Sequence, residues 1–157
     1  MDGLKIRKAE KEDQEGILAI FKSRKPRWDK RFAKIYYVDF FEKGAYPNDQ
    51  VFVGELGRKI VSVIGCCPDR LETKDVYWLG WFYTHQDYEG NNIGGKLLGF
   101  MIKYLADSAR KLYVDTSSDS FYRPALNLYL KIGFQIEAVL RDYYEDGEDQ
   151  IILGMNL

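Results

Sequence analysis

Residues Val76 to Leu105 read VYWLGWFYT-HQDY-EGNNIGGK-LLGFMIKYL, and the change of texture along this stretch decides the architecture. Val76 to Thr84 is a bulky, aromatic-rich run that predicts a buried strand. Glu89 to Lys96 then brings Gly90, Gly94 and Gly95, a turn signal. After it Leu97, Leu98, Met101, Ile102 and Leu105 recur at spacings of one, three and four, which is one face of a helix. A strand, a glycine-rich turn and a helix in that order present successive backbone amides at the strand's carboxyl end. The first amides of the helix and the positive end of its dipole favour an anion there. In outline this is a pyrophosphate cradle. It lacks the Lys-Ser/Thr of a P-loop and the glycine spacing of the dinucleotide fingerprint, so taken alone it also reads as a plain connecting turn.

Working outward toward the N-terminus, Val51 to Leu56 and Lys59 to Cys66 are β-rich and separated by Gly57-Arg58, which predicts an antiparallel hairpin. Leu4 to Lys8 alternates apolar and polar residues as a short first strand does. Asp13 is placed to cap a helix whose apolar positions are Ile17, Leu18, Ile20 and Phe21. The run from Lys22 to Lys34 holds Lys22, Arg24, Lys25, Arg27, Lys30, Arg31 and Lys34 around Pro26 and Trp28. It is either a solvated connection or a rim that binds an anionic group. Phe32, Tyr36, Tyr37, Phe40 and Phe41 follow at helix-like spacing.

Toward the C-terminus, Leu112 to Thr116 reads as a strand and Tyr122 to Ile132 as a helix with Pro124 in its first turn. Gly133 ends that helix in a left-handed cap, with Phe134 packing back on it. Two strands, Gln135 to Tyr143 and Gln150 to Met155, flank the turn Asp146-Gly147. The resulting order, β-α-α-β-β-β-α-β-α-β-β, predicts an α/β fold. Its centre is a mixed, mostly antiparallel sheet of about seven strands, with about four helices on its faces.

The 157 residues suit a single domain spanning 1–157, with no linker or repeat. A hydrophobic share of 46% beside 30% charged residues excludes a disordered chain. Basic and acidic residues balance at 23 and 24, leaving no global field to attract nucleic acid. No long uninterrupted apolar run exists, and the opening MDGLKIRKAEKED carries no signal-peptide core. The chain is therefore expected in the cytoplasm and off the membrane. Cys66 and Cys67 are adjacent, which strains a bridge between them and predicts reduced thiols. His85 is the one histidine, so a zinc site is not expected.

Three segments together resemble the GNAT superfamily of acyl-CoA-dependent N-acetyltransferases. Glu89-Gly90-Asn91-Asn92-Ile93-Gly94 falls in the frame of its R/Q-x-x-G-x-G/A motif. Ala125-Leu126-Asn127-Leu128-Tyr129-Leu130-Lys131-Ile132-Gly133-Phe134 is similar to its A-x-x-L-Y-x-K-x-G-F helix end. Arg141-Asp142-Tyr143-Tyr144, with Gly147 and Asp149, is similar to its closing hairpin. The first motif departs at two positions. Glu89 replaces Arg or Gln, and a carboxylate beside a pyrophosphate is unfavourable unless it points to solvent. Asn92 replaces glycine, and Asn adopts the left-handed backbone more readily than most residues. Lys96, one turn into the helix, adds positive charge.

The resemblance implies an enzyme that moves acetyl from acetyl-CoA to a primary amine by direct attack in a ternary complex, releasing CoA. It assigns cofactor binding to Phe82, Tyr83 and Thr84 on the fourth strand, to Glu89, Gly90, Asn91, Asn92, Ile93, Gly94, Gly95 and Lys96, and to Tyr122, Ala125 and Tyr129. Tyr129 matches the tyrosine that protonates the departing sulfur, a role suited to a group with an ordinary pKa near 10; the other reading is a core tyrosine. Asp115 is similarly placed to the carboxylate that some protein N-terminal acetyltransferases use as a base. Its other reading is a cap on the backbone of Thr116 to Ser118. His85, expected as an exposed loop residue, and Glu55 are further candidates for the base, which stays open. The resemblance frames the acceptor by Arg27 to Phe41 and Tyr143 to Asp149, which suits a small-molecule amine or a peptide amino group. A second copy of the chain is a candidate partner. The rival reading is an acyl-CoA-binding module without catalysis.

Overall fold

The computed structural model describes residues 3–25 and 28–157; Pro26 and Arg27 of the basic run lie outside the described residues, as does the side chain of Trp28. The elements are β1 (Lys5–Lys8), α1 (Gln14–Lys22), α2 (Trp28–Lys43), β2 (Gln50–Leu56), β3 (Lys59–Pro68), β4 (Val76–Thr84), α3 (Ile93–Leu105), β5 (Lys111–Ser117), α4 (Arg123–Ile132), β6 (Gln135–Glu145) and β7 (Glu148–Asn156). Their order is the expected one. The strands are ordered β1-β2-β3-β4-β5-β7-β6, and the β4–β5 ladder is parallel. No helix among the described residues is long and apolar enough to cross a membrane. The chain divides into two compact units, Met1–Cys67 with Gly80–Met101 and Pro68–Leu79 with Ile102–Leu157.

In the first unit the β2–β3 hairpin turns through Gly57 and Arg58, both at positive φ (52° and 70°), the backbone that a two-residue hairpin loop demands. Alternation along β2 separates two faces. Val51 and Val53 join Ile17, Ile20 and Phe21 of α1, Ala33 and Tyr37 of α2, and Ile60 and Val63 of β3 in one buried cluster. On β2, Phe52 meets Phe100 of α3 with ring centroids 5.0 Å apart. A Cβ at Gly54 would stand 3.0 Å from Leu97 Cδ1, so α3 lies close on the strand there. Each fully buried Ile or Phe contributes about 1.5–3 kcal/mol, and Trp81 and Tyr83 of β4 pack against this cluster.

Asp13 does not cap α1 with its side chain. Its carboxylate accepts two bonds from the Arg7 guanidinium, at 2.7 and 2.8 Å, and one from the Glu10 amide at 2.8 Å. A charged, bidentate partner outcompetes a single neutral amide. The Arg7 hydrogen bonds pull the Asp13 carboxyl below its ordinary range.

In the second unit Val76–Trp78 of β4 pairs with Lys111–Tyr113 of β5, and β5 pairs antiparallel with β7 along Lys111–Ser117. β6 pairs with β7 around the tight turn at Asp146-Gly147, so both closing strands run two residues further into the turn than expected. The predicted left-handed cap is present: Gly133 has φ 117°, and its amide and that of Phe134 both donate to the Tyr129 carbonyl. Phe134 is buried against Tyr129, ring centroids 5.7 Å apart.

Candidate active site

The glycine-rich segment is shaped by its own backbone. His85 donates its amide to Val61 O at 2.8 Å and accepts the Asp87 amide on Nδ1, opening a short helical turn at Gln86–Tyr88. Its side chain is only 13% exposed, so this histidine is a half-buried cap and not the expected exposed loop residue. Asn91 Nδ2 donates to the carbonyls of Tyr88 and Glu89. Asn92 takes φ 57°, the left-handed conformation for which Asn substitutes for glycine.

The first bond of the α3 ladder runs from the Lys96 amide to Asn92 O at 3.1 Å. The amides of Ile93, Gly94 and Gly95 therefore precede the ladder and have no partner within the helix. Gly94 and Gly95 lie inside the helix and not in the turn before it, so two of the three amides have no Cβ beside them. No acidic residue stands in the first turn of α3. Amides of this kind at a helix start, with no carboxylate in the first turn, favour a negative group.

Glu89, half-exposed, does not simply face solvent. It forms an ion pair with Arg24, which follows α1. Arg24 Nη1 also donates to Thr84 O at 2.8 Å, and its guanidinium carbon lies 5.8 Å from the centroid of the Tyr83 ring. Tyr83 donates its hydroxyl to the buried Asp29 in the first turn of α2. Lys30 Nζ donates to Arg24 O at 2.6 Å, and the Gln86 amide donates to Ser23 Oγ at 3.1 Å. The end of α1, the start of α2 and the end of β4 are thereby stitched to the cradle.

Within β4, Trp81 sits at φ 48°, a conformation that costs an L residue about 1–2 kcal/mol. The buried Tyr37 hydroxyl donates to Trp81 O at 2.9 Å and holds it there. The backbone thus leaves the extended conformation immediately before Phe82, Tyr83 and Thr84. Strain of this kind persists only where its surroundings over-determine it.

In the second unit Asp115 lies on β5, two residues from Ser117, which pairs with Gln150 of β7. Side chains two apart share a face, so Gln150 reaches Asp115: its Nε2 donates to Oδ2 at 2.8 Å, while the Tyr144 hydroxyl lies 3.4 Å from the same oxygen. The amides of Ser118 and Asp119 bond instead to Asp149 O and Ser117 Oγ. Tyr129 is 5% exposed. Burial first, and then the charge of Asp115, push its phenol well above the ordinary tyrosine value. Tyr144 is raised by the same two causes in the same order. Tyr122 and Ala125, at the start of α4, are half-buried. Of the other candidate bases, Glu55 accepts Arg7 Nε at 2.8 Å and belongs to the Arg7 network.

Sequence reasoning named Arg24 and Tyr144 only within longer segments, and gave Gln150 no role at the site. The basic run signalled positive charge near the cradle without saying which residue delivers it, and the closing-hairpin motif named Tyr144 without a contact.

The strand and helix order define the mixed α/β fold expected from the sequence. The profile of the acetyltransferase (GNAT) family matches residues 17–134, and the chain belongs to that family. An N-alpha-acetyltransferase of Sulfurisphaera tokodaii is 35% identical over 74 residues, spanning 46% of this chain and 43% of that protein, less than half the relative's length. Among solved structures, a GNAT-family protein of Desulfovibrio desulfuricans is similar with a TM-score of 0.88 at 20% identity, covering 98% of this chain and 99% of that one. A ribosomal-protein-alanine N-acetyltransferase of Brucella melitensis gives a TM-score of 0.76 at 19% identity, covering 98% of this chain and 100% of that one. At these identities the structural likeness is one of fold.

Proposed function

We propose that this chain transfers acetyl from acetyl-CoA to a primary amine, with a polypeptide amino terminus as the acceptor class. The observation that carries the reading is the row of helix-start amides at Ile93, Gly94 and Gly95, in a chain of the GNAT family. These donors suit the pyrophosphate of CoA: three N–H groups lie together, two lack a Cβ, and no carboxylate occupies the first turn. The acceptor class is supported by the Sulfurisphaera relative, an N-alpha-acetyltransferase.

Bound acetyl-CoA supplies a thioester carbonyl open to attack by an amine. The backbone of Phe82, Tyr83 and Thr84 binds the pantetheine arm and orients that carbonyl. Asp115, oriented by Gln150 and Tyr144, accepts the proton of the incoming amine directly or through one water. Tyr129 Oη, protonated at neutral pH even at its ordinary value near 10 and held so to higher pH by burial and the Asp115 charge, delivers its proton to the departing sulfur.

The test is an incubation with acetyl-CoA and a panel of short peptides, amino acids, polyamines and aminoglycosides. CoA thiol release is measured, and mass spectrometry locates the acetyl group. Release with free peptide amino termini, and none with blocked termini carrying an internal lysine, is the expected result. Absence of release with every amine, while CoA still raises the thermal midpoint, identifies the rival acyl-CoA-binding module.

A further inference from the structure

In the cradle's motif the position of the positively charged or amide residue is held by Glu89, whose carboxylate on its own repels the phosphates that the neighbouring amides attract. The structure brings an arginine from 65 residues away to the same place. Arg24 pairs with Glu89, bonds Thr84 O where β4 ends, and lies over the Tyr83 ring. Its placement is not incidental to a flexible loop. The Arg24 carbonyl accepts from Lys30, the adjacent Ser23 hydroxyl accepts from the Gln86 amide, and the Arg24 side chain is 18% exposed.

We propose that Arg24 is a cofactor-binding residue: its guanidinium, held at the edge of the cradle by Glu89 and Thr84, supplies the positive charge that the motif position itself lacks. This rests on the reading of the cradle as a CoA pyrophosphate site. Glu89 acts as the guanidinium's holder. When the anionic ligand arrives, the arginine shares itself between Glu89 and phosphate, which its five N–H donors permit. Two opposite departures, an acid in the motif and a base brought to it by the fold, thus offset each other.

The test is a double-mutant cycle on CoA affinity, read by calorimetry, over wild type, Arg24→Gln, Glu89→Gln and the double variant. The thermal midpoint of each protein without ligand and the binding of Arg24→Lys control for folding. Arg24→Gln is expected to weaken CoA binding about tenfold or more, the scale of a lost charge-assisted contact. The loss should persist in the Glu89→Gln background, where Thr84 O and the Gln amide oxygen still accept from the guanidinium, and Glu89→Gln alone, its repulsion of phosphate removed, should bind CoA as tightly as wild type or more tightly. Arg24→Lys should keep most of the affinity. The dependence of affinity on salt should flatten in Arg24→Gln.

If Arg24→Gln is silent in the Glu89→Gln background, the arginine only neutralises Glu89 and the proposal is overturned. An unchanged affinity in Arg24→Gln itself overturns it equally. Both outcomes leave the cradle reading intact, because wild type binds CoA. A wild type that binds no CoA removes the cradle reading and this proposal together.

Discussion

Replacing Tyr129 by Phe separates the two readings of that residue. The variant keeps the ring, its burial and its packing on Phe134 at 5.7 Å, and removes one hydroxyl. If Tyr129 is the acid, turnover at saturating substrates falls about 10²- to 10⁴-fold, which is about 2.7–5.5 kcal/mol of barrier at 1.36 kcal/mol per tenfold. The stability cost is much smaller, about 0.5–1.5 kcal/mol for one net hydrogen bond, or roughly 1–6 °C of thermal midpoint for a chain of this size. CoA affinity should be unchanged. The pH profile carries a sign of its own. A phenol is neutral when protonated, so burial and the Asp115 charge raise its pKa. At an ordinary value near 10, about a quarter of the molecules would lose the proton by pH 9.5. The raised value predicts that wild-type turnover climbs with pH as the acceptor amine deprotonates, and then holds through pH 9.5 without a falling limb. Initial rates of thiol release from pH 6 to 10, for both proteins, measure all of this. Turnover of Tyr129→Phe within about twofold of wild type would make Tyr129 a core residue and end the acid assignment.

Asp115→Asn should lower turnover at neutral pH while leaving stability nearly unchanged, and the loss should shrink at high pH where the amine arrives deprotonated; a loss equal at every pH would indicate positioning instead. Gly94→Asp, which puts a side chain and a negative charge beside the helix-start amides, should abolish the rise in thermal midpoint that millimolar CoA gives the wild type, about 2.7 kcal/mol at a hundredfold excess over Kd. Persistence of that rise in the variant would put the phosphates elsewhere. The Asp13 carboxyl is depressed in the folded state, so its stabilisation is complete above the unfolded value near 3.9 and is lost as pH falls through the lower folded value. Asp13→Asn should therefore lose stability at pH 7 and show a shallower decline below about pH 4 in urea unfolding series.

The elements, the strand-turn-helix segment from β4 to α3 and the α4 cap were legible from residues read in order, because what specifies them acts within a few residues. Val76 to Thr84 is continuously bulky, the apolar face of α3 repeats at helical spacing, Asn92 accepts a left-handed backbone, and Gly133 ends its helix with Phe134 behind it. The contacts that tune the candidate site obey no such local rule. Arg24 meets Glu89 across 65 residues, and Gln150 meets Asp115 across 35, because strand register and helix packing decide which side chains share a face. Asp13 abandoned the cap its position offered because the fold set Arg7 beside it, and a paired charge binds more strongly than an amide. Trp81 carries a backbone angle its identity disfavours because the Tyr37 hydroxyl, 44 residues away, holds its carbonyl. Local chemistry therefore set the strand, the glycine-bearing turn and the helix start. The folded chain chose which charges surround them, since charge pairing depends on distance in space and only the packed sheet and helices fix that distance.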